Sequence, residues 1–235
     1  MPRKPLTVAT SEAVDDYLKA ILKLGGPDEL RISSNALAQH LGVRAPSVTG
    51  MIQKLAAQRP PLILYEKSHG VRLTTAGKRR AWELVRHHRL LELFLHDILK
   101  YSWDEVHEEA ERLEHFISER FEDRLAAILG NPEIDPHGHL IPEKNQVGKF
   151  NRESALLDWP LQTPGIISSI SDRDASALQQ LQQQGIKPGL ILTVRQRNAS
   201  SSISIRIEDE KRDVRLGIGL AKLVLVNSLP EAQSK

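Results

Sequence analysis

His107, Glu111, Glu114 and His115 stand at i, i+4, i+7 and i+8. On a helix this spacing puts imidazole and carboxylate groups on one face, within about 5–6 Å of each other. A second pair, His88 and Glu92, stands at i, i+4 on the preceding helical stretch. Histidine nitrogens and carboxylate oxygens repeated in this way make the donor set of a divalent-cation site. A Glu-rich row is otherwise a solvated face, and a lone histidine on an apolar stripe is ordinarily a satisfied core residue. Two His-x-x-x-Glu pairs on successive helices, with Glu114-His115 added, favour the metal site. Carboxylates buried unpaired are costly, and a divalent ion resolves that conflict. His40, His69, His87 and His96 have no such partners in the pattern and read as ordinary.

The elements that must position these groups follow from periodicity. Residues 102–118 read as one helix with Ser102 and Glu105 as a capping box. Its buried stripe is Val106, Ala110, Leu113 and Ile117. The helix before it, about 78–99, buries Leu84, Leu91 and Leu95, a stripe that His88 interrupts. A third helix, about 118–129, presents Phe121, Leu125 and Ile128, and Gly130-Asn131-Pro132 ends it.

Upstream, residues 11–24 form a helix around Val14, Tyr17, Leu18, Ile21 and Leu22, capped by Thr10 or Ser11. A short helix around Leu37, Ala38 and Leu41 then turns at Gly42. The helix that follows carries Pro46 in its first turn and Val48, Met51, Ile52 and Leu55 inside. Residues 62–74 make two strands about a turn at 67–70, so the whole is a winged helix-turn-helix. Its second helix offers Arg44, Pro46, Ser47, Thr49 and Gln53 toward a major groove, and Lys54 and Lys67 toward phosphates. Residues 143–158 are polar with few apolar anchors and read as a linker. Five short strands and an amphipathic helix, Ala175–Gln184, then suggest a small barrel.

The 235 residues hold no cysteine, which excludes disulfides, thiolate zinc sites and a cysteine nucleophile. No apolar run approaches the roughly 18 residues of a membrane span, and no signal-like core follows the N-terminus, so a cytoplasmic location is expected. The net charge of +2 hides an asymmetry. Residues 1–80 carry 13 Lys/Arg against 6 Asp/Glu, and residues 81–142 carry 6 against 14. A basic head joined to an acidic middle suggests a polyanion binder coupled to a cation binder.

These residues also carry a resemblance. The segments 15–18, 41–49, 73–77, 87–92, 106–115, Asp135-Pro136-His137-Gly138 and Gly185-Ile186-Lys187-Pro188-Gly189 are similar to those of one family. It is the diphtheria toxin repressor and manganese transport regulator family of metal-dependent transcription regulators, in its long form. The resemblance implies a mainly α chain with a small β domain. It divides into a winged-helix DNA-binding domain over 1–77, a helical metal-binding and dimerisation domain over 78–142, the linker, and an SH3-like (FeoA-like) domain over 159–230. It further implies a homodimer on operator DNA with an inverted repeat, a primary metal site of Asp16, Glu111, Glu114 and His115, and an ancillary site of His88, Glu92 and His107, to which the barrel adds Asp174. Asp16 comes from the resemblance alone, because it lies off the apolar stripe of its helix.

Two departures matter. Lysine stands at Lys19, where the short manganese regulators have a bridging glutamate, so two separate sites are expected rather than a close metal pair. Asp16 and Glu111 stand where iron-responsive members have methionine and cysteine, and this hard-oxygen set favours Mn²⁺ over Fe²⁺. The expected function is a manganese-responsive repressor of metal-homeostasis genes, with an iron-responsive member as the alternative. A carboxylate-bridged di-metal enzyme would use two Glu-x-x-His pairs, but Arg112 stands three before His115. A metal-independent winged-helix regulator would need an apolar effector pocket instead of the His/Glu row.

Overall fold

The computed structural model describes residues 12–150, 153–198 and 201–229; the expected cap at Thr10 or Ser11 lies outside them. The elements in chain order begin with α1 (Glu12–Gly25), α2 (Ser34–Leu41) and α3 (Ala45–Ala57). The hairpin β1 (Ile63–Glu66) and β2 (Gly70–Leu73) and the long α4 (Thr75–Asp97) follow. Next come α5 (Val106–Leu113), α6 (Glu119–Ile128), β3 (Ser154–Ala155), β4 (Pro164–Ile170) and α7 (Ala175–Gln183). The chain closes with β5 (Ile191–Asn198), β6 (Ser202–Ile207), β7 (Arg212–Gly217), α8 (Ile218–Ala221) and β8 (Val224–Asn227). They form two compact units.

The first unit holds the described residues through His87 together with Pro142–Phe150. Val14, Leu18 and Ile21 of α1 pack with Leu37, Val48, Ile52 and Leu55 of the helix pair and with Ile63 and Val71 of the hairpin. Ser33 caps α2 by accepting from the Ala36 amide, and Gly42 ends it in the left-handed region. The hairpin pairs Ile63 with Leu73 through Glu66 with Gly70, which gives the wing the register the alternation requires. Asp15 is 1% exposed and forms a two-pronged ion pair with Arg80 of α4, at 3.0 and 3.1 Å. The pair ties α1 to α4, and its partners are 65 residues apart.

Pro142–Phe150, which overlaps the stretch read as a linker, belongs to the first unit. Phe150 meets Trp82 edge to face at 5.1 Å, and Arg86 donates to the Pro142 carbonyl at 2.7 Å. Gly148 lies so close to Trp82 that an added Cβ would come within 2.5 Å of the indole. A cavity of about 330 Å³ lies beside this strap, lined by Ile21, Leu22, Leu30, Leu73, Trp82 and Phe150 among others. Gly148→Val will prise the strap away. Trypsin cleavage at Lys144 and Lys149, followed by mass spectrometry, will then run about tenfold faster than in wild type, the effect of about 1.4 kcal/mol of local opening. Equal cleavage rates would refute the anchoring.

The second unit holds His88–Ile141 and the described residues from Glu153 onward. Its antiparallel sheet has the order β3-β8-β4-β5-β6-β7. The strands expected from composition are present, and β3, inside the expected linker, is a sixth; Leu156 just after it is fully buried. The barrel does not stand apart from the helical segment. Trp103, from the stretch before α5, is part of the same buried cluster as Ile167, Leu178, Leu192 and Val224. Its indole Nε1–H donates to the Pro136 carbonyl at 3.0 Å.

The expected single helix over 102–118 is also corrected. It is α5, which ends at Leu113, leaving Leu113 37% exposed and Ile117 beyond its end. The capping box is half formed. Glu105 reaches back to the Ser102 amide at 3.0 Å, but the Ser102 hydroxyl donates to that same carboxylate instead of accepting from the Glu105 amide.

Candidate metal centre

The α4 and α5 helices bring the chemistry together in the second unit. His88 projects from the apolar face of α4 because Leu84, Leu91 and Leu95 bury that face, and Glu92 follows one turn later. Glu92 is fully buried. Its Oε1 lies 3.0 Å from His88 Nε2 and 3.1 Å from His107 Nδ1, and those two nitrogens are 3.0 Å apart. Asp172 Oδ2 lies 3.5 Å from His107 Nδ1 and completes a four-residue group whose ligand atoms all lie within 4.8 Å of one another. The other edge of His88 faces α5 and its end: Nδ1 is 2.7 Å from Glu114 Oε2 and 3.9 Å from Glu111 Oε1. His115 Nε2 lies 3.6 Å from Glu114 Oε1.

Of the residues singled out in the sequence, His88, Glu92, His107, Glu111, Glu114 and His115 are thus drawn together. His88 faces both groups, with Nε2 toward Glu92 and His107 and Nδ1 toward Glu114 and Glu111. Asp16 is half-buried on α1, in the first unit. Asp174 is not in the centre. It is the N-cap of α7, and its carboxylate accepts from the Ala177 amide at 3.0 Å. Asp172, two residues earlier, is the aspartate that groups with His88, Glu92 and His107. Sequence reasoning also missed Asp135, His137 and His139, which form a group of their own; the spacing Asp-x-His-x-His was the available signal.

The electrostatics favour a cation. Burial alone would push the Glu92 carboxyl up, but the His88 charge, hydrogen bonds from His107 and His88, and the nearby His137 outweigh it and hold Glu92 well below the usual carboxylate range. Burial likewise works against a charged His137. Glu92, Asp135 and Asp172 overcome that and raise its pKa to about 9. Two buried atoms of the centre, Glu92 Oε2 and His137 Nδ1, have no hydrogen-bond partner. An all nitrogen-and-oxygen donor set, in a chain with no cysteine, fits a hard to borderline divalent ion.

The residues meant for DNA lie in the first unit. Arg44, Pro46, Ser47, Thr49, Gln53 and Lys54 are all exposed along α3, and Lys67 is exposed in the turn of the wing. Thr49 Oγ1 donates to the Ala45 carbonyl one turn back at 3.2 Å. Among the described residues no helix is long and apolar enough to cross a membrane.

Comparison with known proteins agrees along the chain. Residues 9–71 match the family described as iron dependent repressor, N-terminal DNA binding domain. Residues 74–143 match iron dependent repressor, metal binding and dimerisation domain, and 155–228 match the FeoA domain. The iron-dependent repressor IdeR of Mycobacterium leprae is 30% identical over 208 residues, which is 83% of this chain and 88% of that protein. A solved manganese-dependent transcriptional repressor in complex with manganese is 37% identical with a TM-score of 0.83, covering 92% of this chain and all of that one. ScaR with bound Zn²⁺ is 30% identical with a TM-score of 0.75, covering 92% and 99%. These relatives are repressors, which sets aside the di-metal enzyme. With its three domains matched in order and its His/Glu centre in place, the chain belongs to the diphtheria toxin repressor family of metal-dependent transcriptional repressors.

Proposed function

We propose that the protein is a manganese-responsive repressor, active in the cytoplasm, that binds an inverted-repeat operator as a homodimer. The observation that carries the metal preference is the donor set: Glu92, Asp172, Glu111 and Glu114 with His88, His107 and His115, and no sulfur among them. Mn²⁺ is the weakest binder of its series, so a site for it relies on hard oxygen ligands. The manganese-dependent structural relative, at 37% identity, supports the same reading over the iron-dependent one at 30%. Fe²⁺ is the second reading, favoured by the IdeR relatives alone. A dimer fits the exposed apolar side chains around α6: Phe116, Phe121 and Ile128 are 71%, 45% and 67% exposed.

A divalent ion supplies positive charge that offsets the clustered carboxylates. The residues do the rest. Glu92 is held as an anion within the fold, His88 spans Glu92 and the buried Glu114, and neutral imidazoles are needed at His88, His107 and His115, so ion affinity rises with pH. The ion favours the DNA-competent state only by its greater affinity for that state.

The test is operator binding by the full chain during Mn²⁺ and Fe²⁺ titrations, with a chelator as control. Tight binding without any ion would refute the reading. Glu111→Cys should shift the preferred ion from Mn²⁺ toward Fe²⁺, Co²⁺ or Zn²⁺. Glu108→Gln, on the exposed side and paired with Arg112, should leave the response as it was. Lys67→Ala should weaken binding to all DNA sequences alike and flatten the salt slope by about one unit. An unchanged slope would remove the wing from the interface.

A further inference from the structure

We infer that the cavity beside the strap is a binding site for a small aromatic carboxylate, held between α1, the wing and α4. Its walls all belong to the first unit: Ile21 and Leu22 near the end of α1, Leu73 on β2, Trp82 on α4 and Phe150 on the strap. The cavity measures about 330 Å³. An enclosed apolar cavity of about 150 Å³ already takes a benzene ring, so roughly twice that volume suits a two-ring body. Ligand sites begin at about 300 Å³, so the size falls within their range. Gly148 lets the strap lie against the Trp82 indole, where an added Cβ would come within 2.5 Å of the ring, and the strap is thereby the cover of the site.

The rim sets the charge of the occupant. Arg72, Lys78 and Lys149 border the cavity against one carboxylate, that of Glu29. Glu29 is already taken by Lys78 in an ion pair. Arg72 and Lys149 are exposed and have no ion pair among the described residues. Two uncompensated cations at the mouth of an apolar slot favour an anion with an apolar body. Trp82 is the independent sign. It is 4% exposed, and a buried indole ordinarily finds an acceptor for its N–H. The other two tryptophans do so: Trp103 donates to the Pro136 carbonyl and Trp159 to the Thr163 carbonyl, each at 3.0 Å. The Trp82 N–H has no acceptor among the described residues, which leaves it to a bound carboxylate. Its ring meets Phe150 edge to face, so the wall also offers aromatic surface to a flat body.

The site goes beyond the proposed function and is probed without a metal. The full chain is titrated with 2-naphthoate by calorimetry. Saturable binding with a Kd of about 0.1–1 mM is expected, ordinary for a ligand of about 13 non-hydrogen atoms. In nitrogen-15 spectra the Trp82 indole resonance should move, while those of Trp103 and Trp159, in the second unit, stay in place. Arg72→Ala, at an exposed position, should weaken binding about fivefold by removing a charged partner of the carboxylate. Val147→Trp, on the exposed part of the strap that lines the cavity, should fill the slot and weaken binding about tenfold. The cation 2-naphthylmethylammonium, with the same rings and the opposite charge, should bind about tenfold more weakly than 2-naphthoate. No saturable heat up to about 5 mM, an unmoved Trp82 resonance, or equal affinity for the cation would overturn the site. So would an Arg72→Ala protein that keeps its affinity for 2-naphthoate but loses affinity for operator, because the rim cation would then serve DNA.

Discussion

Glu114→Gln is expected to raise the Mn²⁺ concentration needed for half-maximal operator binding about 100-fold. The basis is placement. Glu114 is 1% exposed at the end of α5, with Oε2 2.7 Å from His88 Nδ1 and Oε1 3.6 Å from His115 Nε2. Glutamine keeps the shape and the contact but removes the charge. Loss of a group that merely supports a ligand costs about 10–100-fold in metal affinity, so loss of a ligand's charge belongs at or above the upper end. Helix content and thermal midpoint in the absence of metal should change little, because the amide can still meet both imidazoles. A response like wild type in Glu114→Gln would mean that this row is a charged face and nothing more.

The second large effect concerns stability. Trp103→Ala should destabilise the second unit by about 3–5 kcal/mol, the range for deleting a buried aromatic side chain. Trp103 is 6% exposed within the barrel's apolar cluster, stacks on His137 with ring centroids 5.2 Å apart, and holds the Pro136 carbonyl. Chemical denaturation followed by far-UV circular dichroism should show helices and strands of this unit melting together at a lower midpoint. For the same reason truncation at Pro142 should expose Trp103 and lower the stability of the helical segment that remains. A Trp103→Ala protein with an unchanged midpoint would show that the barrel and the helical segment are energetically independent.

Periodicity made much of this architecture legible. The α1 stripe, the helix pair and the wing follow from apolar spacing and turn residues within a few positions of each other, and β4 to β8 follow from β-branched runs. The His88–Glu92 and His107–Glu111 pairs were legible because helical spacing is local. Long-range partners left no such mark. Nothing in the sequence couples Asp15 to Arg80, or Phe150 and Gly148 to Trp82, since the anchors of the strap are one aromatic ring and one missing side chain. The capping role of Asp174 was legible too, since it immediately precedes a helix starting at Ala175, the position where an aspartate caps. His137 sat in a Pro/Gly-punctuated loop where no period applies, and its value depends on Trp103, 34 residues away.

The position of His88 has a consequence for how the centre keeps count of protons. A neutral imidazole carries one hydrogen and one lone pair. In the neutral ring that an ion on the other side requires, Nδ1 at 2.7 Å from the Glu114 carboxylate keeps the hydrogen, and Nε2, 3.0 Å from both Glu92 and His107, is the nitrogen left to meet the ion. Glu114 therefore sets which way His88 can donate electrons at a point it never touches itself. Remove the acceptor, and the ring loses its reason to keep that orientation of charge. Nitrogen-15 chemical shifts of His88 would read this directly, as an Nδ1–H tautomer in wild type that gives way to a mixture in Glu114→Gln. The two halves of the centre then share a single hydrogen atom as their means of communication.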